Sequence, residues 1–443
     1  LHIPRSDNWF NVDTFILAGS HSSSHSASPV LDDPYSNRDN RYRMSPRIAI
    51  VGAGLCGLTI SRLLECRGID FALFEKGEED KHLERGGGSV DIYKDTGQRA
   101  LREANLLDEF LKSAKLGDDK LAIYDRHGKK WAEVGGDDGH LARGPPQIDQ
   151  LVLRRMLLES LPRGKIHWGH RVSAVELGAK GKPVLKFANG STEAGFDLVV
   201  GADGVWSRVR LSITSCKPRY SGKYFIESRI DPKNTMYQYI MTEFGTNDTA
   251  ILDGAKQVII QRLGDGSYRL YLGISVPEDF LLVSPDLTDL SNIRRLLLSQ
   301  EFFAGWDVKL KKLIENCEKF HIRPLYYFPP DALGWDSVPG LTLAGDAAHA
   351  STPYVNEGVN CAMVDALALV SKIASHEVEG LHQAVRKYEE AMFVRGRDLI
   401  TESQKQGELM SHEDGPNAYL QAIQLGAMEG DGPAGFHRQV VYC

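Results

Sequence analysis

The stretch that most constrains the fold is residues 47–58, where four apolar residues of a buried strand run into Gly-x-Gly-x-x-Gly and then into a helical pattern. Gly52 allows the tight turn, Gly54 lets a pyrophosphate approach the backbone, and Gly57 lets helix and strand pack closely. An ordinary strand-to-helix turn could carry the same glycines. The next apolar strand, however, ends in Glu75, at roughly the 20-residue separation expected of a ribose-binding carboxylate. The sequence therefore predicts a dinucleotide site, with the phosphates at the helix N-terminus.

Size and composition indicate an ordinary globular protein of two or three domains. The 443 residues are 42% hydrophobic and 25% charged, and the formal net charge is −7, which gives no basic surface for nucleic acid. No apolar run reaches the ~18–20 residues of a membrane helix. The six cysteines are scattered, without metal-ligand spacing. We therefore expect reduced thiols, no metal, no membrane span and a cytoplasmic location.

Changes in pattern along the chain predict its domains. Residues 1–45 include a Ser/His tract without periodicity, so we expect a disordered leader. Residues 46–214 and 324–378 should form a discontinuous Rossmann-like domain, and strand-like segments in 215–323 predict an antiparallel sheet that binds substrate. Residues 379–443 should form a C-terminal helix and tail, in a protein of the α/β class. The patterns also predict a hairpin over 121–134, helices over 97–110 and 381–400, a helix cap at Asp149 and a strand over 237–244.

Two later segments again place glycine and a carboxylate at the end of an apolar strand: Gly201-Ala202-Asp203-Gly204 and Gly345-Asp346. Three further motifs are Gly87-Gly88-Ser89-Val90-Asp91-Ile92, Leu153-Arg154 at the start of a Leu-rich helix, and Gly358-Val359-Asn360 after Pro353. In this order, the segments resemble the flavin-dependent monooxygenases of the aromatic-hydroxylase type. The branch they resemble most is that of the tetracycline-inactivating monooxygenases. The resemblance extends from about residue 47 to about residue 400.

The resemblance implies a glutathione-reductase-type FAD-binding domain, as in para-hydroxybenzoate hydroxylase. The three glycines of the first motif would hold the FAD pyrophosphate, and Glu75 the adenosine ribose. Arg154 would reach the flavin or its phosphates, Asp203 the pyrophosphate and the nicotinamide nucleotide, and Asp346 the ribityl chain or pyrophosphate. Lys76 would lie near the adenosine, or be a solvated charge at a strand end. The implied cofactor residues are Gly52, Gly54, Leu55, Cys56, Gly57, Glu75, Lys76, Gly88, Asp91, Arg154, Asp203, Gly345, Asp346, Pro353, Gly358, Val359 and Asn360.

The chemistry implied by the resemblance is hydroxylation. NADPH or NADH would reduce FAD, O2 would add at the flavin C4a position, and the hydroperoxide would transfer oxygen to a phenolic, aromatic or polycyclic small molecule. No side chain is assigned a catalytic role, and His349 is expected to shape its loop. A monomer or weak dimer is expected. The alternatives are a halogenase or desaturating flavoprotein, although the Trp-x-Trp-x-Ile-Pro segment of the halogenases is absent, or a non-catalytic nucleotide-binding protein.

Two positions depart from the family pattern. Asn356-Glu357 stands where the family usually has a small residue and then Gln, and a carboxylate there would alter the electrostatics beside reduced flavin. Glu227 stands where the tetracycline-type enzymes carry an amide, so tetracycline itself is not the expected substrate. We expect Glu227, Arg229, Tyr239 and Tyr354 to line the substrate cavity. For the first three, strand packing or solvent exposure is an equal alternative.

Overall fold

The computed structural model describes residues 46–79, 81, 87–115, 120–134, 145–178, 181–283, 287, 289–376, 380–429 and 440–442. The leader predicted over 1–45 lies outside the described residues. The strands are β1 (Ile48–Val51), β2 (Phe71–Phe74), β3 (Ser89–Asp91), β4 (Leu121–Asp125), β5 (Lys130–Val134), β6 (Gln147–Asp149), β7 (Ile166–His167), β8 (Val172–Leu177), β9 (Pro183–Phe187), β10 (Thr192–Glu193), β11 (Leu198–Gly201), β12 (Arg219–Ile230), β13 (Asp248–Asp253), β14 (Lys256–Arg262), β15 (Tyr268–Ser275), β16 (His321–Tyr327), β17 (Leu341–Leu343) and β18 (Val440–Tyr442). The α-helices are α1 (Leu55–Cys66), α2 (Gly97–Glu103), α3 (Leu107–Ser113), α4 (Gln150–Glu159), α5 (Tyr237–Glu243), α6 (Phe280–Val283), α7 (Leu290–Leu297), α8 (Val308–Glu315), α9 (Asp346–His349), α10 (Gly358–Ala374), α11 (Leu381–Leu409) and α12 (Pro416–Glu429).

A five-stranded parallel sheet forms the centre of the dinucleotide-binding part, in the order β17-β11-β1-β2-β7. Its central strands β1 and β11 are buried along their whole length, as parallel strands covered on both faces must be. Helices α1 and α10 pack against each other beside this sheet. Because the strands are parallel, the carboxyl ends of β1, β2, β11 and β17 lie at one edge, where ligands of such sheets bind. The predicted Rossmann-like α/β fold is confirmed.

A second, eight-stranded sheet has the order β16-β12-β15-β14-β13-β4-β5-β18. Every pairing in it is antiparallel except that of β13 with β4. One face of this sheet packs on α5, α7 and α8 through a separate apolar cluster that includes Tyr224, Ile260 and Leu272. The hairpin β4–β5 forms as predicted. It joins this sheet although its residues fall in the sequence range assigned to the dinucleotide-binding domain.

Several predicted elements differ from the structure. The strand predicted over 237–244 is wrong, because this segment is helix α5. The helix predicted over 97–110 is two helices, divided where Asn105 takes a left-handed φ of 57°. Asp149 precedes α4, but its side chain does not cap that helix. It accepts hydrogen bonds from Ser89 Oγ and the Gly264 N–H instead. Helix α11 continues nine residues beyond the predicted end at 400.

None of the described helices combines the length and apolar content needed to cross a bilayer. The described cysteines are free thiols: Cys56, Cys66, Cys216, Cys317 and Cys361.

Candidate active site

The glycine turn after β1 is shaped by backbone contacts that leave no room for side chains. Gly52 has a φ of +105°, and a Cβ at this residue would lie 2.5 Å from the carbonyl oxygen of Ala202. A Cβ on Gly57 would lie 1.9 Å from the Gly52 carbonyl oxygen, because α1 begins directly against the turn. At Gly54, no atom of the described chain lies within 4 Å of such a Cβ. The turn is therefore packed against its neighbours at Gly52 and Gly57 and open at Gly54, where a pyrophosphate is predicted.

Glu75 connects the end of β2 to this turn. Its two carboxylate oxygens accept hydrogen bonds from the N–H groups of Ala53, at 2.7 Å, and Gly77, at 2.8 Å. Arg154 of α4 donates from Nε to the Ala53 carbonyl oxygen at 3.0 Å. Burial lowers the pKa of Arg154, and the charge of Glu75 opposes this shift. Glu75 and Arg154, two of the predicted cofactor residues, thus both bond the backbone of Ala53 in the glycine turn. The side chain of Lys76, a third, is exposed.

Asp203 follows β11 and lies beside the first turn, since the Ala202 N–H donates to the Val51 carbonyl oxygen at 2.8 Å. Its Oδ2 accepts a hydrogen bond from the Arg208 N–H at 2.7 Å. Its Oδ1 is buried and has no hydrogen-bond partner in the described part of the chain. Burial raises the pKa of Asp203, although the hydrogen bonds at this turn oppose the shift. A buried carboxylate oxygen in this state is suited to accept a hydrogen bond from a ligand.

Gly345 and Asp346 follow β17. Gly345 has a φ of +58°, and its Cβ position lies 3.1 Å from Cys56 Sγ, so the starts of α9 and α1 are in contact. The side chain of Asp346 is exposed to a cavity that it lines. Desolvation by the surrounding protein raises the pKa of Asp346, and the nearby His349 opposes the shift. The three predicted glycine–carboxylate strand ends are therefore gathered at one edge of the parallel sheet.

A buried ionic network lies beneath this edge. His349 Nε2 is 2.5 Å from Asp365 Oδ2, and Arg395 Nη2 is 2.8 Å from Asp365 Oδ1. Asp365 Oδ2 also accepts the Gly345 N–H at 2.9 Å. Burial alone would lower the pKa of His349, but Cys361 and Asp365 outweigh it and raise that pKa well above its usual value. His349, Cys361 and Asp365 are metal-ligand types in proximity, but a 2.5 Å Nε2–Oδ2 separation is a direct hydrogen bond.

The start of α10 is bonded to the segment after β3. Asn360 is fully buried, and its side chain donates to the Asp91 carbonyl oxygen at 2.8 Å and accepts from the Tyr93 N–H at 3.1 Å. The Asn356 side chain donates to Asp91 Oδ2 at 2.9 Å. Asn356 has a φ of 55°, a left-handed conformation that Asn tolerates. The Asn360 side chain thus positions the Asp91–Tyr93 backbone, and its predicted cofactor role remains a prediction.

Glu357, the second residue of the unusual pair, is not an ordinary carboxylate. Burial, reinforced by the charge of Asp91, raises the pKa of Glu357 to about 8. Near pH 7 the Glu357 carboxyl is therefore largely protonated and neutral. The extra negative charge anticipated beside reduced flavin is correspondingly reduced.

A cavity of about 870 Å³ joins these residues to the second sheet. Its lining combines Gly88, Asp91, Asp346, Pro353 and Asn356 with residues of the eight-stranded sheet, on the face that is covered near β4, β5 and β13 by Met410, Tyr419 and Leu420. Glu227 of β12 is paired with Tyr271 of β15, and Tyr271 is paired with Ile259 of β14. Paired residues point to the same face of a sheet, so these three side chains line the cavity together. Its size is in the usual range for small-molecule and cofactor pockets.

The cavity includes two of the four predicted substrate residues. Glu227 and Tyr354 line it. Tyr354 is fixed by a hydrogen bond from Gln257 Nε2 to its hydroxyl at 3.1 Å. Arg229 is outside the cavity lining and is half-exposed, with ion pairs to Asp231 and Asp265. Tyr239 is also outside, because α5 packs it edge-on against Phe244 on the opposite face of the sheet.

Some cavity residues had no counterpart in the sequence prediction. Arg323 and Tyr326 come from β16, Gln261 and Tyr271 from β14 and β15, and Trp206 from the loop after Asp203. The alternation of side chains along β14 and β15 could have identified one face of the sheet. Which face bears the cavity depends on packing between segments distant in sequence. Trp206 is 57% exposed and contacts the ring of Tyr326 edge-on at 4.8 Å.

These features fit a bound FAD. The turn is open at Gly54, Asp203 presents a buried oxygen without a partner, and Asp346 faces the adjoining cavity. The N-terminus of α1 supplies backbone N–H groups for a pyrophosphate. Fold and site together define a flavoprotein whose cofactor site adjoins a second, sheet-lined binding cavity.

Comparison with known proteins gives the family. The model of the FAD binding domain family matches residues 46–224 and 338–403, which is more than half of the chain. The chain belongs to this family and is an FAD-dependent monooxygenase of the aromatic-hydroxylase type, as predicted from its motifs.

Two relatives and one solved structure illustrate the similarity. Monooxygenase asqM of Emericella nidulans is 28% identical over 80% of this chain and 93% of its own length. The 3-amino-4-hydroxybenzoate 2-monooxygenase PtmB3 of Streptomyces platensis is 29% identical over 85% of this chain and 91% of its own length. The crystal structure of tetracycline destructase Tet(55) is 18% identical, covers 88% of this chain and 97% of that chain, and has a TM-score of 0.66. It shares the fold.

Proposed function

We propose that this protein uses NADPH or NADH, together with O2, to hydroxylate a phenolic or polycyclic aromatic small molecule held in the cavity. The observation that carries the proposal is the continuity of that cavity, which is lined by Asp346 and Gly88 on the cofactor side and by the sheet residues Glu227, Ile259 and Tyr271 on the other. A substrate on the sheet would therefore lie next to the cofactor without crossing bulk solvent. A relative that hydroxylates an aminohydroxybenzoate, PtmB3, is consistent with an aromatic substrate.

The cofactor-binding roles follow from the positions of the side chains. Gly52, Gly54 and Gly57 would admit the pyrophosphate to the N-terminus of α1. Glu75 would accept hydrogen bonds from the adenosine ribose, because each of its oxygens has one backbone N–H partner and a second lone pair remains. Asp203, Asp346 and Arg154 would bind the rest of the pyrophosphate and the ribityl chain, with Leu55, Cys56, Gly345, Pro353, Gly358 and Val359 forming the surrounding walls.

Bound FAD would supply the redox chemistry of the reaction. The protein's part is to orient the substrate, exclude water and control charge. Tyr354 is suited to excluding water: its ring occupies the space that a Cβ on Gly407 would need, at 2.6 Å, lies edge-on to Phe225 at 5.7 Å and has Lys223 Nζ 5.0 Å from its centre. The positive end of α10, beginning at Gly358, would favour negative charge on reduced flavin. The neutral Glu357 carboxyl would leave that effect largely intact.

Oxygen-isotope incorporation tests the proposal. The purified yellow protein is given NADPH or NADH, 18O2 and a panel of phenols and polycyclic aromatics, with consumption of reduced nucleotide and product mass followed together. We expect at least one compound to stimulate nucleotide oxidation and to gain a single 18O atom. Nucleotide oxidation that yields only hydrogen peroxide with every compound would count against hydroxylation. A yellow protein that neither NADPH nor NADH reduces, although dithionite does, would contradict the proposed co-substrate.

A further inference from the structure

The substrate-facing side of the large sheet carries an ionic group at one end. Glu227 of β12 is 8% exposed and lies between two guanidinium groups. Arg323 Nε of β16 lies 2.7 Å from Glu227 Oε1 in an ion pair, and Arg269 of β15 donates from Nη1 to Glu227 Oε2 at 3.1 Å. Burial raises the pKa of Glu227, and Arg323 and Arg269 oppose that shift. Two guanidiniums and one ionised carboxylate give this group of three side chains a net charge of +1.

The two arginines have different environments. The Arg269 side chain is 14% exposed and is not part of the cavity lining. The Arg323 side chain is 52% exposed and lines the cavity. Its Nε is ion-paired with Glu227, and none of the described residues accepts a hydrogen bond from its guanidinium. The Nη groups of Arg323 therefore have no hydrogen-bond acceptor among the described residues, in a side chain that lines the cavity and is ion-paired to a buried carboxylate.

Arg323 is also the single Lys or Arg side chain among the described residues of the cavity lining. The other charged groups there are acidic: Asp91, Glu227, Asp248 and Asp346. Asp91 is bonded to the Asn356 and Gln147 amides, and Asp346 lies on the cofactor wall. Asp248 is on β13, three strands from β12, which at about 4.8 Å per strand is roughly 14 Å. Among the described lining residues, an anionic substituent thus has one cationic side chain to contact, at the β16 end.

Away from Arg323 the sheet lining includes a group of apolar side chains, with Gln261 of β14 and Asp248 of β13 as its polar members. Ile259 of β14, Ala250 of β13 and Leu121 of β4 succeed one another across the sheet, and Met410 and Tyr419 approach from the C-terminal helices. A ligand that satisfies both ends is a flat apolar ring system with an acidic group at one edge. Guanidinium is well matched to a carboxylate or ionised phenol, which it can bind through two parallel hydrogen bonds.

We infer that Arg323 is the anchor for an anionic oxygen group, carboxylate or phenolate, on an aromatic substrate, and that Glu227 holds the Arg323 guanidinium in position for it. The inference rests on the proposed function, because it takes the cavity to be the substrate site. Beyond that function, the inference specifies the chemical class of the substrate and the orientation of the substrate in the cavity. The acidic edge of the substrate lies at β16, and its apolar rings extend towards β13 and β4.

Binding of matched acid and neutral compounds tests the anchor without any turnover. Two pairs serve: 3-hydroxybenzoate against 3-hydroxybenzamide for the carboxylate, and 4-nitrophenol above its pKa against 4-nitroanisole for the phenolate. Binding to the oxidised holoenzyme is measured by titration calorimetry and by the perturbation of the flavin absorbance. We expect the wild-type protein to bind the anion of at least one pair at least tenfold more tightly than its neutral partner, and the pair that does so identifies the anionic group.

Three variants then assign the preference to the side chain. Arg323→Met should reduce the anion-to-neutral ratio to about one with little change for the neutral compound, and Arg323→Lys should retain part of the ratio. Glu227 and Arg269 still pair with each other in both variants, so folding is expected to be preserved and is checked by FAD content. Arg219→Met, on the same strand as Glu227 but paired with Asp331 outside the cavity, should behave as wild type.

Failure of this inference differs from failure of the proposed function. A wild-type protein that binds neither member of either pair, or binds the neutral compound as tightly, overturns the anchor, as does an Arg323→Met protein with an unchanged ratio. None of these results depends on reduced nucleotide or oxygen, which only the isotope experiment requires. An anion preference that Arg323→Met removes supports the anchor, even if no tested compound is hydroxylated.

Discussion

Gly57 is the residue with the least freedom to change in the cofactor site. A Cβ at this position would lie 1.9 Å from the Gly52 carbonyl oxygen. The obstructing atom belongs to the backbone of a tight turn, which cannot rotate away as a side chain would. The contact exists because α1 leaves the turn immediately beside β1, so the same approach that excludes a side chain also directs the helix N-terminus towards the predicted pyrophosphate position.

Gly57→Ala should therefore weaken FAD binding. We expect the turn to open, with a loss of about 1–3 kcal/mol in the free energy of unfolding, typical of overpacking, and at least tenfold weaker FAD binding. Flavin fluorescence on titration of the apoprotein measures the latter. Gly164→Ala is the control, because apart from its chain neighbours no atom of the described residues lies within 4 Å of a Cβ at this position, and it should bind FAD normally. Equal FAD affinities in the two variants would show that the turn tolerates a side chain.

At the scale of single residues, a position can be predicted from the sequence where only one residue type fits it. Gly52 and Gly57 occupy positions where a Cβ would meet backbone atoms, and Glu75 bonds the same turn from the end of β2; the roles of these residues towards FAD stay predictions. Asn360 is different, because the sequence does not indicate that its amide would donate to the Asp91 carbonyl oxygen and accept from the Tyr93 N–H. An amide can pair with protein or ligand equally well, and only the folded structure decides between them.

Among the elements, β12 contains both a buried and an exposed ionic group. Glu227→Ala removes the carboxylate that neutralises the nearly buried Arg269, so we expect a loss of about 3–5 kcal/mol in the free energy of unfolding. Arg229→Ala, two residues along, breaks exposed pairs with Asp231 and Asp265 and should cost less than about 1 kcal/mol. Urea unfolding of the two variants measures both values. Similar losses would indicate that the Glu227 pairs contribute no more than surface pairs.

The N-terminus of α10 should produce a pH dependence. The pKa of Glu357 is about 8 in the folded protein, against an ordinary value of 4.5. The folded state thus binds the proton more tightly, so stability from this group is complete below pH 4.5 and is lost as pH rises towards 8. Relative to the wild-type protein, Glu357→Gln should gain thermal stability progressively between pH 5 and pH 8. Differential scanning calorimetry follows the Tm difference.

The exposed Glu413→Gln is the control for that series, and its Tm should parallel that of the wild-type protein at every pH. A Tm difference for Glu357→Gln that stays constant from pH 5 to 8 would mean that Glu357 titrates normally and remains ionised beside the cofactor site.

The errors in element prediction have physical causes. Helix α5 is rich in aromatic residues, which favour strands, yet Met236, Ile240 and Phe244 recur every four residues as on a helix. Strand β16 is not among the predicted elements; it contains Pro324, which the edge position of this strand in the sheet accepts. The end of α11 buries Ser403 and Gly407, and such small or polar residues produce no apolar periodicity.

For the molecule as a whole, the gathering of the glycine–carboxylate strand ends could be predicted, whereas the sheet-lined part of the cavity could not. Three strand ends carry recognisable glycine–carboxylate motifs, and a parallel sheet necessarily brings their carboxyl ends to one edge. The cavity wall depends instead on the register between β12, β14, β15 and β16, and on β4 and β5 joining the same sheet from an earlier part of the chain. Arg323 therefore gave no signal in the sequence, although Glu227, its partner, did.

Because the proposed FAD contacts come from residues 52–75, 154, 203 and 346–360, the cofactor should stabilise the whole fold rather than one segment of it. A ligand bound only to the folded state adds about 2.7 kcal/mol when its free concentration is one hundred times Kd. Apoprotein titrated with FAD should therefore show a Tm that rises continuously with FAD concentration, in a single transition. FMN lacks the adenosine and its phosphate, so it cannot engage Glu75 and should raise Tm less at equal concentration. A Tm that FAD leaves unchanged, in a protein that stays colourless, would mean that the gathered strand ends do not form an FAD site.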